Sequence, residues 1–241
     1  MPAPLAPPRS QRSVEVIEYV AKAGLIDLDH LVNKFFREQH ETLLDAKPRA
    51  MAALKRLAVQ EYLQVRPVVM DAARTVGQGT PEAVGHFLNK HYMSLAFNIT
   101  PRAARDFNAP LPPNIRTNFV THHLKTMEAI LQVERQFNGT GERVLDFKME
   151  SQLVRENFSG KVFRPGSGDI KTNFPDAMLV VRTPNGGREE VRVEYVSTKY
   201  TDKMIAEKAA AWTTGRTVWA APNQSTADRI QRITGAQAVI V

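Results

Sequence analysis

Not one cysteine occurs in the 241 residues. That absence removes disulfides, zinc fingers and ribbons, and cysteine nucleophiles together, and it suits a reducing, cytoplasmic location. No apolar run approaches the roughly 18 residues of a membrane span, so no membrane partner is expected. Neither end carries a block of like charge that would hold nucleic acid by bulk attraction. The start, from Met1 to Pro8, lacks a basic region followed by an apolar one, so it does not read as a signal peptide. Its four prolines mark residues 1–9 as an extended, flexible arm.

What is present is an ordinary globular composition, 43% hydrophobic and 24% charged. A chain of this length can bury a sizeable core as one large domain or two small ones. The net charge of +7 favours a polyanionic partner. Residues 1–110 hold 14 Lys and Arg against 11 Asp and Glu, and residues 111–241 hold 18 against 14, so both halves are mildly basic.

Helical periodicity starts after Ser10, an N-cap for a helix to Ala23 with Val14, Ile17, Val20 and Ala21 on one face and Gly24 at its end. Asp27 or Asp29 caps a second helix through Leu31, Val32, Phe35 and Phe36. A third is expected from Pro48, a residue favoured at the first helical position, with Met51, Leu54, Leu57 and Ala58 inward. Residues 63–69 then read as a strand, 71–90 as a loop, and 91–97 as a returning strand. Three short helices and a two-stranded wing give a winged helix-turn-helix over residues 10–107, closed by a short helix capped at Asn98 or Thr100.

In that arrangement the third helix lies in the major groove, and its first half meets base edges. Lys47 opens that half, Arg49, Ala52, Lys55 and Arg56 fall on or near the outward face, and Arg66 follows on the strand, so Lys47, Arg49, Lys55, Arg56 and Arg66 are the candidate DNA contacts. Double-stranded DNA is the expected partner. A homodimer also fits, because winged helices often read paired half-sites.

Residues 108–116 form a proline-rich linker, since three prolines in positions 110–113 permit neither helix nor central strand. Beyond it, residues 117–241 read as helix, three strands, helix, strand, helix, strand, an α/β domain with a mixed central sheet. The two domains together make the chain α/β. The chemistry lies in Pro175-Asp176, a hairpin turning at Asn185-Gly186, and Glu194 on the returning strand. Centring the hairpin on that dipeptide sets Asp176 opposite Tyr195, with Glu194 at the same end. Two carboxylates held there suit Mg2+, and Glu150, expected at the end of the preceding strand, supplies a third oxygen. Such an ion would polarise a scissile phosphate and activate water. Glu150, Asp176 and Glu194 are therefore the candidate metal ligands, and with Lys199 the candidate catalytic set. The order matches the PD-(D/E)xK nuclease pattern except that Val196 stands where its lysine would, leaving Lys199 as the nearest substitute.

The chain from about Ser10 to Val241 resembles the replication-relaxation family of plasmids, phages and integrative elements. The resemblance is carried by Leu54-Lys55-Arg56-Leu57 with Tyr62-Leu63, by residues 98–104, and by Thr121-His122-His123. It continues through residues 146–150, Pro175-Asp176-Ala177, Glu194 and Ser197-Thr198-Lys199. It implies a winged helix joined to a restriction-endonuclease-like domain, and a role in plasmid or phage DNA replication, relaxation or mobilisation beside other proteins of that machinery. His122 and His123 read as a helix cap or packing pair, with assistance to a metal as the alternative. Three functions remain open at this level: a DNA-binding accessory factor without chemistry, a magnesium-dependent endonuclease guided by its own winged helix, and a DNA-tethered protein scaffold.

Overall fold

The computed structural model describes residues 8, 10–69, 93–111, 113, 115, 117–158 and 174–241. The chain is mixed α/β, with eight α-helices and two sheets among the described residues. It divides into two compact units, Met1–Leu124 and Lys125–Val241. The expected loop over 71–90 lies outside the described residues, as does the arm over 1–9 apart from Pro8. Among the described residues no helix is long and apolar enough to cross a membrane.

In the first unit, α1 (Gln11–Ala23) begins where the Ser10 hydroxyl accepts the Ser13 amide, and Val16, Ile17, Val20 and Ala21 form its buried stripe. Gly24 ends it at φ 78°, its amide donating to the Val20 carbonyl. A Cβ there would lie 2.9 Å from Cδ of Pro113, so this stop needs glycine twice over, for backbone conformation and for space. Next comes β1 (Ile26–Asp27), two residues too short to announce themselves in sequence. The Asp27 carboxylate accepts the His30 amide to cap α2 (Leu28–Leu31), which runs on as a π-helical turn over Val32–Phe36.

The third helix starts five residues earlier than the proline implied. Helix α3 (Leu43–Val59) opens at Thr42, which forms a reciprocal capping box with Asp45. Two orphan amides are satisfied there, whereas Pro48 only forgoes a bond to the carbonyl of Leu44, in a first turn open to water. The inward stripe is Ala46, Ala50, Leu54 and Leu57; Met51 is half-buried. Strands β2 (Leu63–Val69) and β3 (Met93–Ile99) pair antiparallel, and β1 joins the other edge of β3, giving the order β1-β3-β2. Thr100 caps the short α4 (Pro101–Asp106). Val16, Ile17, Leu31, Leu54 and Phe97 are at most 1% exposed, and burial of each contributes roughly 1.5–3 kcal/mol.

Helix α5 (Thr117–Asn138) belongs to both units, the division falling after Leu124. Val120 and Leu124 pack with Leu25, Val68 and Ala96, and the His123 ring donates to the Leu25 carbonyl at 3.0 Å. His123 therefore packs within the first unit, and the beginning of α5 belongs with the residues before it.

The second unit holds β4 (Arg143–Met149), α6 (Glu150–Phe158), β5 (Ala177–Arg182) and β6 (Arg188–Tyr195), then α7 (Asp202–Ala211), β7 (Arg216–Ala221), α8 (Gln224–Thr234) and β8 (Ala238–Ile240). The sheet order is β4-β5-β6-β7-β8; the first two pairings are antiparallel and the last two parallel. A tight hairpin permits the antiparallel pair β5–β6, while α7 and α8 make the crossovers that parallel pairing requires. Beneath β7 lies a core of Val196, Ile205, Trp219, Ala221 and Ile230.

Two local expectations need correction. The polar stretch after β4 begins as helix α6, so Glu150 opens a helix instead of ending a strand. The hairpin register also differs by one residue, because Ala177 pairs with Val193 and Arg182 with Arg188. The turn is a three-residue loop, Pro184-Asn185-Gly186, in which the Gly186 amide donates to Thr183 at 2.9 Å and Gly186 takes φ 84°. A left-handed third residue closes such a loop and adds one residue to the connection. Asp176, just before β5, is thereby set across from Glu194 and not from Tyr195.

Candidate functional site

At the end of the β5–β6 hairpin the two carboxylates are taken out of water: Asp176 is 6% exposed and Glu194 0%. Each is satisfied by the other's strand. The Asp176 carboxylate accepts the Tyr195 amide at 2.8 Å, and the Asp176 amide donates to Glu194 Oε2 at 3.3 Å. The other Glu194 oxygen, Oε1, accepts the Tyr200 hydroxyl at 3.0 Å and the ammonium of Lys208.

Lys208 was not among the residues read from the sequence. It sits on α7, which Thr201 caps by accepting the Met204 amide. Ile205 is the buried anchor of that helix, and Lys208, one turn on, shares its face. The ammonium stands 5.8 Å from the centre of the Tyr200 ring and 5.3 Å from that of Trp212, so two aromatic faces and a carboxylate enclose it. Tyr200 is itself held from α8, where Arg229 donates to its carbonyl at 2.6 Å and pairs with Asp202 at 3.3 Å.

Burial, and then the charge of Asp176, push the Glu194 carboxyl up to about 8, against the opposing pull of Lys208 and Tyr200. Burial also raises the Tyr200 phenol, helped by the negative charges of Glu194, Asp176 and Glu150. Glu150 thus lies within electrostatic reach of Tyr200. Its side chain is exposed, and its amide donates to the Asp176 carbonyl at 2.8 Å. Lys199 stands exposed in the turn after β6, its amide donating to the Ser197 hydroxyl at 3.3 Å.

As arranged, these residues do not fit a magnesium ion. Both Glu194 oxygens accept protein hydrogens, one of them from a cation that a metal would have to displace. Among the described residues no group of three or more carboxylate or imidazole side chains gathers to hold a metal ion. What the cluster does hold is the Lys208 ammonium, on Glu194 beside the Tyr200 hydroxyl.

The basic residues of the first unit fare differently from one another. Lys47 pairs with Asp29 at 2.8 Å. Arg49, expected to face a base edge, is tied back by Glu41, which it meets at 3.0 and 2.6 Å, and by the Phe36 carbonyl. That guanidinium holds the Glu41 carboxyl below the usual carboxylate range. Lys55 and Arg56 are exposed on α3, and neither has a carboxylate partner among the described residues. Arg66, on β2, is half-buried. Of the five expected DNA contacts, two are thus engaged by acids of their own unit and two stand open on one helix.

No family model, no curated protein and no solved structure matches this chain.

Proposed function

We propose that the chain is a DNA-binding protein of the replication-relaxation kind, serving as an accessory factor in replication, relaxation or mobilisation of a mobile element's DNA. In this reading residues 10–107 are a winged helix, and the second domain is restriction-endonuclease-like but does not cut. The observation that carries it is the order α1-β1-α2-α3-β2-β3 with sheet order β1-β3-β2, in which α3 presents Lys55 and Arg56 to water. A helix followed by an antiparallel wing is the arrangement that lays such a helix in the major groove. The net charge of +7 supplies the long-range attraction.

The second domain supports the reading through its mixed five-stranded sheet with paired acids at the end of the hairpin. The reading that it does not cut is supported by the occupancy of those acids by Lys208, Tyr200 and backbone amides. The test is incubation with supercoiled plasmid plus magnesium or manganese, with and without chelator. The plasmid should be retarded on a gel and stay supercoiled in every lane. Nicking stopped by chelator would replace this reading with that of a magnesium-dependent endonuclease, and failure to retard any DNA would end both.

A further inference from the structure

Between α1, the end of the π-helical turn and α3, the first unit carries a half-open cavity of about 310 Å³. Arg12, Arg49 and Arg56 line it, with Ser10 and Ser13 beside them. Val16, Phe36 and Leu57 contribute an apolar part, each at most 5% exposed. One of the three guanidiniums is already neutralised, since Arg49 is forked onto Glu41. Among the described residues the other two are not. Arg12 stacks 5.8 Å from the centre of the Phe36 ring, and neither it nor Arg56 has a carboxylate partner among the described residues. Two unneutralised guanidiniums lining one cavity repel each other unless an anion stands between them.

We propose that this cavity binds the phosphomonoester of a nucleotide, with the phosphate between Arg12 and Arg56 and the sugar and base in the rest of its volume. A phosphomonoester carries a charge of roughly −1.5 to −2 at pH 7 and offers three acceptor oxygens, which matches the two guanidiniums and the one hydroxyl hydrogen that the Ser10–Ser13 bond leaves over. A backbone diester carries one charge, so it matches two guanidiniums less well. The volume, at the lower end of the range for small-molecule sites, exceeds what a bare phosphate occupies. The nucleotide comes either as a 5′-phosphorylated DNA end or as a free mononucleotide; both carry the same group. The proposal does not depend on duplex binding by α3. It shares Arg56 with that face, while Arg12 belongs to the cavity and Lys55 does not line it.

The experiment measures binding of dAMP, deoxyadenosine and inorganic phosphate by calorimetry. In parallel, fluorescence anisotropy follows a short single-stranded oligonucleotide with a 5′-phosphate or a 5′-hydroxyl. Binding of dAMP but not deoxyadenosine is expected, with inorganic phosphate weaker. Arg12→Gln should weaken dAMP binding about tenfold to a hundredfold, the loss of a charge-assisted hydrogen bond. Arg12 is exposed, so the variant should fold, and Arg56→Gln serves as an independent second variant. A preference for the 5′-phosphorylated oligonucleotide identifies a DNA end as the source, and equal affinity for both oligonucleotides with tight dAMP binding identifies the free nucleotide. Lys55→Glu should weaken duplex binding and leave dAMP binding unchanged, which separates the two readings. Absence of dAMP binding, deoxyadenosine binding as tightly as dAMP, or inorganic phosphate binding as well as dAMP would overturn the proposal.

Discussion

Arg49 and Lys208 are both cations held by a glutamate, and their surroundings differ. Arg49 meets Glu41 at the edge of the surface, its own side chain 44% exposed and that of the glutamate 17%. Lys208 meets Glu194 where the carboxylate is 0% exposed and the lysine side chain 18%. At the surface, water competes for both charges, and such a pair adds little to the fold. In the interior neither charge has water to return to, so losing one partner strands the other. The same two residue types are thus a removable tie in the first unit and a committed part of the packing in the second. The contrast separates what each region offers a ligand. Cations in water, such as Lys55 and Arg56, are available to an external anion; those of the buried cluster are already spent on internal acids.

The sharpest way to break this comparison is to remove Lys208. Read from denaturant unfolding at pH 9, where Glu194 is ionised, Lys208→Met should destabilise the chain by about 3–5 kcal/mol, because the carboxylate is left buried without its cation. The double variant Lys208→Met/Glu194→Leu should recover most of that loss, since replacing a whole buried pair with apolar groups is often neutral. A Lys208→Met variant as stable as wild type would make the buried pair no different from the exposed one.

Titration gives a second, smaller contrast. Glu194 binds its proton more tightly folded than unfolded, its carboxyl being raised from 4.5 to about 8. Between those values the folded chain holds more protons than the unfolded one, so its contribution to stability declines as pH rises through that window. Thermal melting from pH 5 to pH 8.5 should show this decline, and Glu194→Gln should flatten it. A wild-type curve that rises across that window would mean the carboxylate is stabilised as an anion instead. The smallest effect is expected at the surface, where Arg49→Ala should leave the melting temperature unchanged. A clear fall there would show that the Phe36 carbonyl and Glu41 depend on that guanidinium.

Much of the architecture was legible because short polar side chains speak for themselves. Ser10 caps the helix expected of it, and of the paired choices Asp27 or Asp29 and Asn98 or Thr100 the caps are Asp27 and Thr100. The start of α3 was misread because two signals competed. Pro48 is visible alone, whereas Thr42 and Asp45 carry meaning only as a pair whose bonds both form. Strand β1 has two residues and no period to detect. The hairpin register slipped because Asn185-Gly186 serves two turn geometries, and the choice of a left-handed Gly186 closing a three-residue loop is made in the backbone. Asp176 and Glu194 could be found from sequence because strand pairing places them at one end. Lys208 was harder, since it reaches Glu194 from another element. The only trace is its spacing of three from Ile205, a pattern that most surface lysines share.

The central claim is that duplex DNA is held on the exposed face of α3 by its two unneutralised cations, and one titration addresses it directly. Affinity for a fluorescent duplex is measured against salt for wild type and for Lys55→Glu/Arg56→Glu, with melting as the control for folding. Wild-type binding should weaken with a slope of log K against log salt of about −3 to −6, from roughly four to seven phosphates neutralised. The folded double variant should lose at least about tenfold in affinity, or 1.4 kcal/mol, because two attractive contacts become repulsive. A wild-type slope near zero, or a folded variant that binds as wild type does, would contradict the claim.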